Sequence, residues 1–318
     1  MSVVIGLDIG GTKIAAALVD ERGCVISSVR RQTHPELGRE FVLEQIGAAV
    51  GELVEKARSI GEKVLAVGIG SPGIIDPESG VIVQAAVNLP QWSGFSLKQF
   101  IEERFSIRAF ADNDVNVMAL GECMFGAAVG MRNVIFIAIG TGIGGGIVIG
   151  GRLYHGSNFT AGEVGHITVV PDGPRCACGN YGCLEALASG PAIARRAEEY
   201  MAKGVRTTLQ SIVGDGKVTC ELVAKAASEG DALCRRLLEE AGRYIGIAIS
   251  SLMNVLNPDC IVVGGGVAQA GELILSPMRE EVALRALSPA PILQSSLGDS
   301  AGQVGAAALA WFWLKAAA

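Results

Sequence analysis

The chain has 318 residues, which is long for a single hydrophobic core and predicts two domains. Half of its residues are hydrophobic and 43 are glycine, a composition typical of a soluble α/β enzyme. The net charge of -6 offers no basic surface, so we expect no nucleic-acid partner.

The N-terminus enters an apolar strand directly, without the charged and apolar regions of a signal peptide. The most apolar helix candidate, Tyr244 to Leu256, is too short to span a bilayer, so no membrane association is expected. Several cysteines are scattered without a disulfide-like spacing: Cys24, Cys123, Cys220, Cys234 and Cys260. This cysteine usage predicts a cytoplasmic protein in a reducing compartment.

The first elements predicted are two strands, Val3 to Ile9 and Ile14 to Asp20, joined by the turn D-I-G-G-T-K at 8–13. A third strand follows at Cys24 to Val29. Strand, glycine turn, strand is a hairpin, whereas a Walker loop or a Rossmann fingerprint places a helix after the glycines. The turn is either an ordinary tight turn or a site where backbone N–H groups, Thr12 and Lys13 bind phosphate.

A helix from Phe41 to Ile60 and a buried strand from Val64 to Ile69 come next. The loop around Asn88 contains Trp92, which is more typical of a core or lid position than of a ligand contact. Further along, the sequence predicts a helix at 97–105, a strand at 108–111 and a helix from Asp112-Asn113-Asp114 to Phe125. Either acidic residue of that triplet can cap the helix.

Residues 133–151 repeat the pattern of the N-terminus, with a strand, a glycine-and-threonine turn and a second strand. Thr141-Gly142 takes the place of Gly11-Thr12. We therefore predict a distant internal duplication with one phosphate loop in each half, which favours nucleotide binding over an ordinary turn.

Four borderline or soft metal ligands lie in the stretch from Glu163 to Glu185: His166, Cys176, Cys178 and Cys183. Zinc prefers a tetrahedron of thiolate and imidazole ligands, and a closed set of four predicts a structural site. Gly179 and Gly182 suit a tight wrap because glycine tolerates positive φ. The alternative is a cluster of buried thiols or a disulfide. A metal here would hold Glu163 and Glu185 on a rigid frame suited to binding hydroxyl groups.

The C-terminal part is predicted to be mostly helical. A strand at 260–263 meets the glycines 264–266, at the strand end where ligands of α/β sheets bind. His34 and His155 are expected at the surface. The remaining predicted elements are helices at 191–201, 211–217, 220–229, 233–256, 275–285 and 304–314 and a strand at 292–295.

Taken together, these motifs resemble the ROK family (repressors, open reading frames and sugar kinases) over nearly the whole chain. They are D-I-G-G-T-K, N-D before a helix, G-T-G-I-G-G-G, E-V-G-H and C-A-C-G-N-Y-G-C-L-E. The resemblance implies an actin-like ATPase (RNase H-type) fold, with two α/β domains, an interdomain cleft and a structural zinc loop. The implied domains are 1–112 with 302–318, smaller, and 113–301, larger, which carries the zinc-binding loop 163–185.

The resemblance also implies a role for each matching residue. Asp114 is the expected catalytic base, and ATP, Mg²⁺ and structural Zn²⁺ are the expected cofactors, with zinc held by His166, Cys176, Cys178 and Cys183. Expected sugar ligands are Gly73, Asn88, Asn113, Asp114, Glu163, His166 and Glu185. Expected nucleotide or magnesium ligands are Asp8, Gly10, Gly11, Thr12, Lys13, Thr141, Gly142 and Gly265.

Within the family the sequence is most similar to bacterial ATP-dependent glucokinases, which implies phosphorylation of glucose to glucose 6-phosphate. One alternative is a kinase for N-acetylmannosamine or another hexose or N-acetylhexosamine. Another is a sugar-sensing regulator without catalysis, which the retained Asp114 and the lack of room for a helix-turn-helix before Val3 disfavour. The expected partners are a small sugar and ATP, in a homodimer or homotetramer.

Overall fold

The structure, a computed structural model, describes residues 2–86, 89 and 91–316. Its strands, in chain order, are β1 Val3–Ile9, β2 Lys13–Asp20, β3 Val25–Gln32, β4 Val64–Ser71, β5 Gly73–Asp76, β6 Val81–Ala85, β7 Arg108–Asn113, β8 Val134–Ile139, β9 Ile143–Ile149, β10 Arg152–Leu153, β11 Cys260–Gly264 and β12 Ile292–Gln294.

Helices cover most of the remaining described chain. They are α1 Arg39–Ser59, α2 Leu97–Phe105, α3 Asp114–Phe125, α4 Leu184–Ala188, α5 Gly190–Ala202, α6 Leu209–Val213, α7 Cys220–Ser228, α8 Ala232–Leu256, α9 Glu272–Arg285 and α10 Ala301–Ala316. Short 3-10 helices lie at Pro35–Leu37, Val164–His166, Val267–Ala270 and Gly298–Ser300.

The first compact unit comprises Met1–Arg132, Gly146–Ala161 and Ser295–Ala318. Its sheet has the order β3–β2–β1–β4–β7, in which β1 pairs antiparallel with β2 and parallel with β4. β7 pairs parallel with β4 and is the last strand in this order. The antiparallel β1–β2 pairing closes at Ile9 and Ile14, which confirms the predicted hairpin.

The first unit buries its apolar strands between helices. β1 is apolar on both faces, as its sequence predicts for a central strand, and Trp92 is 1% exposed in the same core. α10 is rich in glycine and alanine, so it approaches β1 and β4 at backbone distance: a Cβ on Gly6 or Gly68 would overlap carbonyl groups of α10. Small residues on both sides are therefore required for this packing.

The second compact unit comprises Asn133–Gly145 and Gly162–Gln294. Its part of the second sheet has the order β9–β8–β11–β12, and β11 pairs parallel with both β8 and β12. The core lies between this sheet and the amphipathic helix α8, which Asp231 caps by accepting a hydrogen bond from the Cys234 N–H at 2.9 Å. The division between the units falls within β9, whose C-terminal half belongs to the first unit and pairs there with β10.

The compact units group residues 113–132 and 146–161 with the N-terminal part of the chain, whereas the predicted division assigned them to the domain 113–301. The predicted domain bounds stay a prediction. No helix in the described part of the chain is long and apolar enough to cross a membrane.

Candidate functional site

The glycine turn between β1 and β2 is held rigidly from one side. The Gly10 N–H donates to the Lys13 carbonyl at 2.9 Å, and the hydroxyl of buried Thr33 donates to the Gly10 carbonyl at 2.6 Å. The Thr33 N–H also donates to the Thr12 carbonyl at 3.0 Å. Thr12 and Lys13 themselves are exposed. The turn therefore presents the Thr12 hydroxyl and the Lys13 ammonium group on a fixed backbone, an arrangement suited to binding phosphate.

Asp8 lies one residue before the end of β1 and has a strongly perturbed carboxyl group. Burial, followed by the negative charge of Asp114, raises the pKa of Asp8 to about 7, and the charge of Lys13 lowers it in part. The first turn of α10 contributes to this burial, because a Cβ on Gly302 would overlap the Asp8 carboxylate. A nearby cation would relieve the cost of ionising this group.

The turn from β7 into α3 positions Asp114. Asn113 caps the helix, because its side-chain oxygen accepts from the N–H groups of Val115 at 2.9 Å and Asn116 at 3.2 Å. Neither acidic residue of the triplet is the cap, which corrects the expectation that Asp112 or Asp114 takes this role. Asp114 is the first residue of α3, where the helix dipole favours its negative charge. Its carboxylate also accepts a hydrogen bond from the Val115 N–H at 3.0 Å and is partly buried.

Gly73 is brought into contact with this turn. The side-chain amide of Asn113 donates to the Gly73 carbonyl at 3.1 Å. Gly73 has a φ of 106°, and a Cβ there would come within 2.5 Å of the Gln84 carbonyl oxygen, so the position requires glycine. In the first unit, therefore, the charge of Asp114 acts on Asp8, and a hydrogen bond connects Asn113 to Gly73. Asn88 lies outside the described residues.

The second unit carries the repeated glycine turn. The Gly140 N–H donates to the Gly142 carbonyl, and the Gly190 N–H at the start of α5 donates to the Gly140 carbonyl, both at 2.9 Å. Glu185 accepts from the Ile143 N–H at 3.0 Å, and a Cβ on Gly142 would lie 2.6 Å from the same carboxylate. Both turns are therefore braced through the carbonyl of their first glycine, which fits the predicted duplication.

A cavity of about 500 Å³ opens beside this second turn. Thr141 and Gly266 line it, together with the N-terminal residues of two helices, Pro191 of α5 and Thr219 to Glu221 of α7. Its size is that of a cofactor or small-molecule pocket, and helix N-termini favour anionic groups. Gly265 lies next to the cavity-lining Gly266 and has a φ of 87°, at a close approach to the backbone of Ile139.

The cysteine and histidine side chains of the 163–185 loop converge. The ligand atoms of His166, Cys176, Cys178 and Cys183 all lie within 4.8 Å of one another. The Cys178 and Cys183 sulfurs are 3.7 Å apart, and His166 Nδ1 is 3.8 Å from the Cys176 sulfur. A zinc tetrahedron with Zn–S bonds of about 2.3 Å separates two sulfurs by roughly 3.8 Å. The donor set and its spacing fit zinc.

The two predicted hydroxyl-binding carboxylates adjoin this cluster. His166 directs Nδ1 towards Cys176, and its other ring nitrogen, Nε2, is 3.9 Å from Glu163. The second carboxylate, Glu185, is 4.0 Å from the Cys176 sulfur through the oxygen that does not contact Ile143. Positive φ values at Gly179 (97°) and Gly182 (65°) confirm the expected wrap of the loop. Glu185 thus connects the metal-type cluster to the second glycine turn.

Several residues of these sites were not identified from the sequence. Thr33 braces the first turn from the end of a neighbouring strand, and no local pattern marks it. Thr219 could have been found, because a threonine before an amphipathic segment is typical of a helix cap, and it accepts from the Leu222 N–H at 3.3 Å. His155 was expected at the surface, which is wrong: its side chain is 19% exposed and paired with Asp112.

The described chain is a two-unit α/β protein with two glycine turns, a cavity of about 500 Å³ and a loop whose histidine and cysteine side chains could hold a metal ion. The chain belongs to the ROK family, whose model matches residues 4–311. The glucokinase of Streptomyces coelicolor is 38% identical to it, over 98% of each chain. The solved structure of a ROK family glucokinase from Streptomyces griseus, in complex with glucose and AMPPNP, has a TM-score of 0.82. That protein is 38% identical, over 96% of this chain and 98% of its own. The xylose repressor of Caldicellulosiruptor bescii is 33% identical, over 88% of this chain and 69% of its own.

Proposed function

We propose that this chain is an ATP-dependent glucokinase, which transfers the terminal phosphoryl group of ATP to glucose and forms glucose 6-phosphate and ADP. The observation that carries the proposal is Asp114, held at the first position of α3 beside the cap Asn113, in a chain that is 38% identical to glucokinases over nearly its whole length. A cytoplasmic homodimer or homotetramer is proposed with it.

Asp114 acts as the general base in this proposal. Phosphoryl transfer to a hydroxyl needs a group that accepts the hydroxyl proton while the reactants are held in line. The Asp114 carboxylate accepts that proton, and the side chains of Asn113, Glu163, His166 and Glu185 bind the sugar hydroxyls, with Gly73 and Asn88 completing the sugar contacts. The Asn113–Gly73 hydrogen bond supports this assignment, because it fixes a predicted sugar ligand beside the base.

The nucleotide is assigned to the two glycine turns. The residues assigned to ATP are Gly10, Gly11, Thr12, Lys13, Thr141, Gly142 and Gly265, and the cavity beside Thr141 accepts its nucleoside part. Asp8 would orient Mg²⁺ through water, and the ion would supply positive charge against the phosphates. Its raised pKa supports this, because a buried carboxyl with an acidic neighbour gains most from a cation.

Zn²⁺ is assigned to His166, Cys176, Cys178 and Cys183, where it orders the loop when bound. The His166 Nδ1 atom lies in the ligand cluster, so the other nitrogen is left to donate an N–H. That nitrogen, Nε2, lies 3.9 Å from the Glu163 carboxylate. Loop order therefore sets the direction of the side chains proposed to bind sugar.

Two measurements test the proposal together. A coupled ADP assay with a panel of hexoses and N-acetylhexosamines should give the highest kcat/KM with glucose. Asp114→Asn should retain glucose binding by calorimetry and lower kcat by about a hundredfold or more, the scale of losing a general base. Preference for N-acetylmannosamine would assign the chain to the alternative kinase class. Sugar binding without ADP production would indicate a regulator, and near wild-type turnover of Asp114→Asn would place the base elsewhere.

A further inference from the structure

A buried carboxylate stands directly before the base-bearing turn. Asp112 is 1% exposed, and both of its oxygens are engaged. Oδ1 accepts hydrogen bonds from the Asn113 N–H at 2.8 Å and from the Asn116 side-chain amide at 2.9 Å. Oδ2 lies 2.7 Å from Nε2 of His155. Burying a carboxylate is costly unless its oxygens are paired, so this environment depends on all three partners.

Asp112 lies near the end of β7, where it links that strand to His155. Asp112 and Asn113 end β7, whose neighbour in the sheet is β4 through the pairs Gly70–Asp112 and Ser71–Asn113. Among the described strands β7 is the last in the sheet order, so β4 is its one neighbour in that sheet, and the Asn113 side chain adds a hydrogen bond to Gly73. His155 follows β10 and holds Asp112 through its side chain. Asp114 comes two residues after the paired carboxylate.

We propose that His155 is a positioning residue: its ion pair with Asp112 fixes the end of β7 and thereby the aim of Asn113 and Asp114. This inference rests on the proposed function, in which Asp114 takes the sugar proton. His155 itself does not contact the reacting atoms in this account. Misplacing a catalytic group by about 1 Å can lower a rate by about a hundredfold. Loss of an ion pair that fixes this turn should therefore lower kcat measurably.

The charged groups around His155 favour its protonated form. Burial by itself lowers the pKa of His155, but the hydrogen bond and charge of Asp112, together with the charge of Asp76, raise it above its ordinary value. Glu78 and Arg152 border the same space with opposite charges. As the pH rises through this raised pKa, the ion pair weakens to a neutral hydrogen bond. The wild-type kcat should therefore fall modestly on the alkaline side.

A cavity of about 210 Å³ adjoins the ion pair and makes the proposal testable by chemical rescue. His155 and Asp112 border it on one side, and Leu153, Phe312 and Trp313 supply apolar walls. Replacing His155 by Ala would join the space of the lost ring to this cavity. Free imidazole, which can be protonated near neutral pH, would then enter and pair with Asp112.

The experiment compares His155→Ala with His34→Ala, a matched control because His34 is exposed and pairs with the exposed Glu36. His155→Ala should lower kcat about tenfold to a hundredfold, with the KM for ATP little changed. Added imidazole should restore much of the loss. Pyrazole, which has the same shape but is not protonated at neutral pH, should not. His155→Gln should keep part of the rate, because its amide can donate to Asp112, and should lose the alkaline decline. His34→Ala should match the wild type.

Each result bears on a separate claim. If the wild-type chain is an active kinase and His155→Ala has the same kcat, the positioning role is overturned and the proposed function stays intact. Equal rescue by imidazole and pyrazole would also overturn the positioning role, because it would indicate that the ring only fills space. A loss of rate that follows a lower Tm and that neither compound restores would overturn it too, because it would indicate a loss of stability alone. A wild-type chain that phosphorylates no sugar would overturn the proposed function, and the positioning role with it.

Discussion

At the scale of single residues, the buried carboxyl group of Asp8 lowers the stability of the fold when it is ionised. Its folded pKa of about 7 lies above the value of 3.8 expected in an unfolded chain. Between these values the folded state binds more protons, so the free energy of unfolding falls as pH rises through this window. The full cost, reached above pH 7, is up to about 4 kcal/mol. In the metal-free protein, Asp8→Asn should therefore increase stability.

Urea unfolding at a series of pH values checks this expectation. The stability gained by Asp8→Asn should grow from about pH 4 to pH 7 and then level off, since both states are ionised above the folded pKa. Asp215→Asn is the control, because Asp215 is exposed and its substitution should give no such trend. A stability difference that is the same at every pH would show that burial does not govern the ionisation of Asp8.

The family resemblance implies site roles for Asp114, Asn113 and Gly73, and these roles stay a proposal. The sequence could not show that Asn113 is the helix cap, because three adjacent polar residues are each able to cap. His155 was misjudged for a related reason. Its partner Asp112 is 43 positions away in sequence, and a pair at that separation leaves no local pattern.

At the scale of elements, the contact of α10 with β4 depends on backbone approach. A Cβ on Gly68 would overlap the Ala306 carbonyl, and a backbone atom cannot rotate away as a side chain can. Gly68→Ala should therefore lower the free energy of unfolding by about 1–3 kcal/mol, the usual cost of overpacking a core. Gly51→Ala is the matched control in the interior of α1, where the nearest atom to the new Cβ, on Phe105, is 3.7 Å away. It should be neutral or stabilising by up to about 1 kcal/mol. Equal effects of the two substitutions in urea unfolding would contradict this packing argument.

Elements with a strong apolar period were predicted to within a few residues, as α2 at Leu97–Phe105 and β1 at Val3–Ile9 show. The hairpin of β5 (Gly73–Asp76) and β6 (Val81–Ala85) was missed. Ser71-Pro72-Gly73 reads as a break in the sequence, but Gly73 opens a new strand because glycine can adopt its φ of 106°. The close approach of α10 to β4 could not be predicted from the sequence either, because it depends on small residues more than 200 positions apart, such as Gly68 and Ala306.

At the scale of the whole molecule, each compact unit has its own core, and the 163–185 loop belongs to the second unit. Val164, Leu184 and Leu187 pack in the core of that unit, and Ile167 and Val169 pack against it. The first unit buries its own set of side chains around β1, β4 and α1. Since local opening of a protein follows such cooperative units, removal of the proposed zinc should loosen the second unit selectively.

Cys178→Ser tests this selectivity. Cys178 is exposed, so the substitution removes one ligand without creating a core cavity. Metal analysis should find about one zinc per wild-type chain and almost none in the variant, because three ligands do not complete a structural site. Hydrogen exchange followed by mass spectrometry should then show faster exchange in 163–185, α4 and the turn at 140–143, which Glu185 joins to the loop. Peptides from β1, β4 and α10 should be unchanged, and glucose affinity should fall with the loss of loop order.

The control is Cys24→Ser, an exposed cysteine of the first unit that lies outside the ligand cluster. It should retain zinc, exchange rates and glucose affinity. Uniformly faster exchange along the Cys178→Ser chain would show that the metal supports the entire molecule as one cooperative unit. Zinc loss with unchanged exchange in 163–185 and unchanged glucose binding would show that the loop is ordered by its glycines and core contacts alone, and that the metal does not set the direction of His166 and Glu163.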